Sequence, residues 1–126
     1  MKRVSCLAAA ASLLALAAGC LPDAVGPPTP TDDPTSITTR GQAIASASCA
    51  SCHGGALRGD TTSGVRAPSL IVVKDYTWGQ FDTLLCAGLT RDAEASFGPM
   101  PTNGQFGLTP AERQVLYVYL AEYWRP

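Results

Sequence analysis

The sequence predicts a small all-α domain with three or more helices, because three segments combine an apolar stripe at helical spacing with a capping pattern. These segments begin near Thr39, Trp78 and Pro110. No run of strands alternating with helices is visible between them. The chain has 126 residues, and its first part has little to bury, so one small core is expected. We therefore expect a single domain over residues 39–126.

The start of the chain is typical of a bacterial secretory signal. Residues 1–3 are basic, residues 4–18 are almost entirely apolar, and small residues precede Cys20. The segment 1–19 is too short for a comfortable membrane span. Its end resembles the lipobox of bacterial lipoproteins, which implies that Cys20 is diacylated and becomes the mature N-terminus. The chain departs from the usual lipobox in one respect. Leu16 lies one place further from the cysteine than the leucine of the usual pattern, and Ala17 fills that position.

Residues 20–38 are predicted to be a linker, because they contain mostly Pro, Thr and Asp. Such a composition favours an extended, semi-rigid spacer. The expected product is an exported protein, held by lipid on the periplasmic side of a membrane. Leu21 follows the cysteine in place of an acidic residue, and by the same resemblance this favours the outer membrane. An ordinary cleaved signal that happens to contain a cysteine, followed by a disordered tail, is the alternative.

The first and second helices are predicted from capping boxes. Thr39 with Gln42 would begin the first helix, which ends near Cys49. Its inner face is small and mildly apolar, so another helix can approach it closely; this face is formed by Gly41, Ile44, Ala45 and Ser48. Thr77 with Gln80 would begin the second helix, and Gly88 would end it. The apolar stripe of that helix is formed by Trp78, Phe81, Leu84 and Leu85.

The last helix has the clearest start in the chain. Thr109 is suited to the N-cap, Pro110 to the first helical position and Glu112 to the third. A stripe of larger side chains follows and is expected to pack on the face of the first helix that contains Gly41. This stripe is formed by Val115, Leu116, Tyr119, Leu120 and Tyr123.

The segment Cys49-Ala50-Ser51-Cys52-His53 matches the C-x-x-C-H pattern of covalent c-type haem attachment. Two thiols three positions apart on one turn can each add to a vinyl group of the porphyrin. The adjacent imidazole then faces the iron from the proximal side. Gly54 to Ala67 is expected to be a loop along one haem edge, where Arg58 or Arg66 could pair with a propionate.

Three other interpretations of this segment were weighed. A thioredoxin-type redox pair needs a βαβ setting, which the chain lacks. A zinc site needs a fourth ligand, for which Cys86 is the remaining candidate. A structural disulfide between Cys49 and Cys52 would close a strained loop and leave His53 unexplained.

Met100 is the predicted second axial ligand of the iron. It lies in Gly98-Pro99-Met100-Pro101, where two prolines would hold its thioether in place. His53 is the only histidine of the chain, and Met100 is the only methionine besides Met1. Of the five cysteines, Cys6 would leave with the signal, Cys20 would carry lipid, and Cys49 and Cys52 would bind haem. Cys86 is then left as a single thiol, which is either reactive or buried as a small apolar residue.

The order of these features resembles the small monohaem cytochrome c family from Thr39 to Trp124. The resemblance implies an all-α fold around one covalent haem c. It assigns Cys49 and Cys52 to the thioethers and His53 and Met100 to the iron. The remaining implied contacts place the Pro68 carbonyl against His53 and Gly41 against Tyr119 and Leu120.

One position departs from this family, because Ala45 stands where an aromatic residue is often found. Tyr119, Tyr123 or Trp124 would have to fill the space. The implied function is one-electron transfer by a membrane-tethered carrier that is not itself an enzyme. Its expected partners are membrane or periplasmic redox proteins, with no small-molecule substrate. A cytochrome subunit of a larger dehydrogenase or respiratory complex, and a gas-binding sensor if Met100 does not ligate, stay open.

Charge excludes one further class. From Cys20 onward the chain has ten acidic and seven basic residues, and no basic patch with interleaved aromatic residues. A nucleic-acid partner therefore has no support.

Overall fold

The computed structural model describes residues 33–59, 67–90, 100 and 106–126. These residues are mostly helical, which confirms the predicted all-α class. The helices in chain order are α1 (Pro34–Ser48), α2 (Ala50–His53), a 3₁₀ helix (Leu70–Asp75), α3 (Trp78–Ala87), α4 (Pro110–Val118) and a π-helical turn (Tyr119–Tyr123). Within the described ranges, no helix has the length and apolar character needed to span a bilayer.

Helix α1 begins five residues before the predicted start at Thr39. The Asp33 carboxylate accepts hydrogen bonds from the backbone N–H groups of Thr35 and Ser36, at 2.9 and 3.1 Å, and Pro34 is the first helical residue. Asp followed by Pro is itself a strong helix start. The expected capping role of Thr39 and the placement of residues 34–38 in the linker are therefore wrong.

Helices α1 and α4 pack against each other through a contact that only glycine permits. A Cβ atom added at Gly41 would lie 2.2 Å from the Cβ atom of Tyr119. Ala45, one turn along α1, is fully buried in the same interface. Ile37, which the sequence analysis did not place in the core, is buried at the start of α1. The predicted contact between Gly41 and Tyr119 is confirmed.

Helices α3 and α4 have the predicted ends. Thr77 and Gln80 form a reciprocal capping box at the start of α3, and Gly88 ends the helix in the left-handed conformation at φ 68°. Thr109 and Glu112 form the same box at the start of α4. Hydrogen bonds from Thr109 to the carboxylate hold the pKa of Glu112 below its usual value.

The chain leaves α4 through a wider turn than an α-helix has. The Trp124 N–H donates to the carbonyl of Tyr119 at 2.7 Å, a bond that spans five residues. The extra residue changes which side chains face inward, so Trp124 is buried and Tyr123 is 38% exposed. The expectation that Tyr123 belongs to the apolar stripe is wrong. Tyr119 and Trp124 belong to the core cluster that includes Ala45.

We expect Gly41→Ala to lower the free energy of unfolding by about 1–3 kcal/mol or more, because the new methyl group overlaps Tyr119. Gly79→Ala on α3 is the matched control, since a Cβ atom there meets nothing within 4 Å. It should raise the free energy of unfolding by about 0.5–1 kcal/mol. Guanidinium denaturation of both variants measures their free energies of unfolding. Equal changes in the two variants would contradict the close contact between Gly41 and Tyr119.

Candidate cofactor-attachment site

The three residues of the attachment motif lie on one helical turn at the junction of α1 and α2. Cys49 ends α1, and its N–H still donates to the carbonyl of Ala45 at 2.9 Å. The N–H groups of Cys52 and His53 both donate to the carbonyl of Cys49, at 3.2 and 2.9 Å. Both cysteines are free thiols and partly buried. The turn therefore presents two sulfurs and one imidazole from neighbouring positions.

The His53 ring is buried, and one of its nitrogens is already engaged. The residue is 7% exposed, and Nδ1 of its ring lies 2.7 Å from the backbone carbonyl oxygen of Pro68. A carbonyl oxygen only accepts hydrogen bonds, so Nδ1 carries a proton, and in the neutral ring Nε2 keeps its lone pair. An imidazole held in this way is oriented and more basic as a metal ligand. The predicted hydrogen bond between His53 and Pro68 is present.

The loop after His53 holds Pro68 in place. The Gly59 N–H donates to the carbonyl of His53 at 3.0 Å, and the Leu70 N–H donates to the carbonyl of Leu57 at 2.9 Å. Gly59 has φ +92°, and a Cβ atom there would lie 2.9 Å from the carbonyl oxygen of Ala67. The two segments therefore lie backbone to backbone beside the imidazole.

The Cys49 sulfur lies in an apolar environment. It packs against the core, and burial, with a smaller contribution from the nearby Cys52 thiol, raises the pKa of Cys49 to about 11. Burial disfavours the charged thiolate, so the sulfur remains a neutral thiol around neutral pH.

Met100 is partly buried and packs against the same hydrophobic core as Cys49. Its flanking residues, including Pro99 and Pro101, lie outside the described part of the chain. The structure thus places Met100 on the core, and its role as an iron ligand stays a prediction.

The other predicted site residues have mixed outcomes. Arg58 is exposed, while Arg66 and Cys20 lie outside the described residues. Cys86 is disulfide-bonded, so the expectation of a leftover thiol is wrong. The zinc alternative needed Cys86 as its fourth ligand, and the described ranges contain no cluster of three or more His, Cys, Asp or Glu suited to a metal ion.

A buried ion pair between α3 and α4 was not predicted from the sequence. Arg113 is 2% exposed, and its Nε donates to Oδ1 of Asp82 at 2.6 Å. A second guanidinium nitrogen, Nη1, donates to the carbonyl of Leu108 at 3.1 Å. A signal was available, because Arg113 lies three residues before the buried Leu116 and therefore on the inner face of its helix.

Three aromatic rings complete the packing between these two helices. The ring centroids of Trp78 and Phe81 lie 5.8 and 5.4 Å from that of Tyr117, and 6.4 Å from each other. The Tyr117 hydroxyl donates to the carbonyl of Tyr76 at 2.8 Å, which fixes the ring. All three rings pack on the core, either within it or at its edge.

These residues fit a covalently attached haem. Two free thiols on one turn are the groups that form thioethers with vinyl substituents, and His53 offers Nε2 as the axial ligand. Met100 adds a soft thioether on the same core.

Comparison with known proteins gives consistent results. A family model described as "Cytochrome C oxidase, cbb3-type, subunit III" matches residues 37–120. The chain is similar to the c-type cytochrome XoxG from Methylobacterium extorquens AM1, with 28% identity over 68% of this chain and 48% of that chain, and a TM-score of 0.52. No curated protein sequence matches significantly.

A second solved structure supports the fold alone. Cytochrome CL from the marine methylotroph Methylophaga aminisulfidivorans MPT is 20% identical, with 75% of this chain and 56% of that chain covered and a TM-score of 0.50. The chain therefore spans about half the length of each of these two cytochromes.

In the haem-free chain, we expect the rate at which iodoacetamide alkylates Cys49 to rise with pH up to about 11, the pKa of the buried thiol. An ordinary thiol has a pKa of 9.0, so its rate would level off earlier. The unfolded thiol loses its proton first, so the contribution of Cys49 to stability is constant below pH 9.0 and is lost as the pH rises towards about 11. Cys49→Ala should lack this loss. Equal titration of Cys49 in buffer and in urea would contradict the expectation.

Proposed function

Since the chain belongs to the c-type cytochrome family described as cbb3-type cytochrome c oxidase subunit III, we propose that it is a one-electron carrier with axial ligation by His53 and Met100. A c-type domain of this kind holds one covalent haem c. The observation that supports the proposal best is the 2.7 Å contact between Nδ1 of His53 and the Pro68 carbonyl, because it leaves Nε2 as the ring nitrogen that would bind a metal.

When bound, the haem supplies a one-electron change between ferric and ferrous iron. His53 and Met100 would hold the iron of this haem, and the core around them would keep water away. His53 is buried and fixed on one side, and Met100 is partly buried on the core. With both residues bound to the iron, no position would be left for a substrate, and electron exchange would be the reaction that this ligand set permits. A thioether ligand in apolar surroundings also raises the reduction potential.

Membership of a larger complex is the second candidate, and the family description favours it. The matched model is described as a subunit of an oxidase, so this chain could pass electrons within an assembly instead of shuttling between proteins. Copurification from native membranes separates the two cases. A carrier is recovered alone, whereas a subunit is recovered in fixed proportion with its partners.

We further propose that lipid at Cys20 holds the domain at the periplasmic face of a membrane, with the outer membrane favoured. The linker beyond Cys20 would let the domain pivot while raising its effective concentration near membrane-bound redox partners. A haem edge that exchanges electrons during brief, small contacts suits such an arrangement.

Met100→Ala should convert the haem from low-spin to high-spin, because the sixth position of the iron loses its ligand. Absorption spectra of the purified ferric and ferrous proteins measure the change, and the methionine-to-ferric charge-transfer band should disappear. The exposed Lys74 provides a control, since Lys74→Ala should leave the spectrum unchanged.

An unchanged spectrum in Met100→Ala would remove Met100 from its proposed role. A wild-type protein that is already high-spin and binds carbon monoxide readily would favour the gas-binding alternative instead.

Cys20→Ser should move the protein from the membrane fraction to the soluble fraction, because the acyl chains lose their attachment point. The shift should leave the haem spectrum unchanged. Cell fractionation and the intact mass of the mature chain measure the outcome. A mature mass without acyl chains, or a disulfide at the Cys20 sulfur, would refute the lipid anchor, since one sulfur cannot carry both.

A further inference from the structure

We propose that a cleft beside the attachment turn binds a small multivalent oxyanion, a molecule with two or more carboxylate or phosphate groups. The cleft has a volume of about 320 Å³ and lies between α1, the loop after His53 and the end of the chain. The side chains that matter for binding are Gln42, Ser46, Leu57, Arg58, Trp124 and Arg125. The haem-attachment residues do not line it, so the proposal goes beyond electron transfer and does not depend on ligation by Met100.

Two arginines from distant parts of the sequence, Arg58 and Arg125, line this cleft. Both are exposed, and neither forms an ion pair with a described residue. Nη1 of Arg125 donates to the carbonyl of Trp124 at 3.1 Å, which leaves the other N–H groups of this guanidinium for a ligand. A guanidinium presents its donors in one plane and binds carboxylate or phosphate oxygens in pairs.

Each arginine follows a buried apolar residue at an irregular point of the backbone. Leu57 has φ +57° and is 5% exposed, and Arg58 comes next. The π-helical turn makes Trp124 face inward, and Arg125 comes next. A left-handed leucine and a π-helical turn are both uncommon, and both occur often at functional sites. That these two features border one cleft is the observation that carries the proposal.

The backbone that bears the two arginines is hydrogen-bonded on both sides of the cleft. The Leu57 N–H donates to the carbonyl of Gly54 at 2.8 Å, and the Leu57 carbonyl accepts from the Leu70 N–H at 2.9 Å. On the other side, the Trp124 N–H donates to the carbonyl of Tyr119 at 2.7 Å. A ligand therefore meets arginines whose backbone positions are already set, which lowers the entropic cost of binding.

The rest of the lining also suits an anion. Gln42 and Ser46 on α1 supply an amide and a hydroxyl as further hydrogen-bond donors, and among the described residues that line the cleft none is Asp or Glu. Leu57 and Trp124 provide apolar surface, beside which a charge interacts more strongly than in bulk water.

The sign of the charge in the cleft is opposite to that of the chain. From Cys20 onward the chain has ten acidic and seven basic residues, so its overall charge repels anions. Attraction at the cleft is therefore a local effect of the two guanidiniums. A ligand with one anionic group can pair with one of them, whereas a multivalent oxyanion can pair with both.

The test is a titration of the reduced, isotope-labelled holoprotein with citrate and, separately, with inorganic pyrophosphate, both at constant ionic strength. The NMR shifts of the amide groups of residues 55–58 and 124–125 report binding. Citrate carries carboxylates and pyrophosphate carries phosphates, so the two titrations distinguish the two classes of ligand.

Five variants are titrated in the same way. Arg58→Gln and Arg125→Gln each remove one guanidinium, and Lys74→Gln removes an exposed positive charge that does not line the cleft. Gly55→Glu places a carboxylate in the cleft, and Gly55→Gln is its matched control without the charge. Both should fold, since a Cβ atom at Gly55 meets nothing within 4 Å.

We expect the wild type to bind citrate, pyrophosphate or both saturably, with the largest shifts at these amides. Arg58→Gln, Arg125→Gln and Gly55→Glu should each weaken binding about fivefold, the effect of losing one exposed ion pair. Gly55→Gln and Lys74→Gln should bind as the wild type does. A wild type that binds neither anion saturably would overturn the proposal. So would equal weakening in Lys74→Gln, because the attraction would then come from general charge.

Discussion

The hydrogen bond from Nδ1 of His53 to the Pro68 carbonyl is the interaction on which the site depends. It fixes the tautomer and the direction of the only imidazole in the chain. A hydrogen bond from the Leu70 N–H to the Leu57 carbonyl joins the two loop segments beside this contact, and the α1–α2 junction brings the two thiols to the same turn. The surrounding helices can be understood as the support that this one contact requires.

The helix ends could be predicted from the sequence because capping residues contact only residues close to them in the chain. Thr77, Gln80 and Gly88 determine the ends of α3 through contacts within a few residues, and the sequence therefore shows them directly. The start of α1 was misplaced for a related reason. Asp33 and Pro34 were counted with the proline-rich linker by composition, although the same two residues form a helix cap.

Features that depend on distant partners were not predictable in the same way. The π-helical turn and the burial of Trp124 follow from packing between α1 and the end of the chain, which no short window of sequence encodes. The ion pair of Arg113 with Asp82 joins positions 31 residues apart. The contact between His53 and Pro68 was expected from family resemblance and from the usual second-shell partners of metal-bound histidine, and the structure contains it.

Leu57 has a backbone conformation that is unusual for its residue type. It is the one non-glycine residue with positive φ among the described residues, at +57°, and it is 5% exposed. The left-handed backbone costs about 1–2 kcal/mol, which offsets much of the roughly 1.5–3 kcal/mol gained by burying the side chain. The loop beside the proximal histidine therefore keeps this turn only while the Leu57 side chain stays buried.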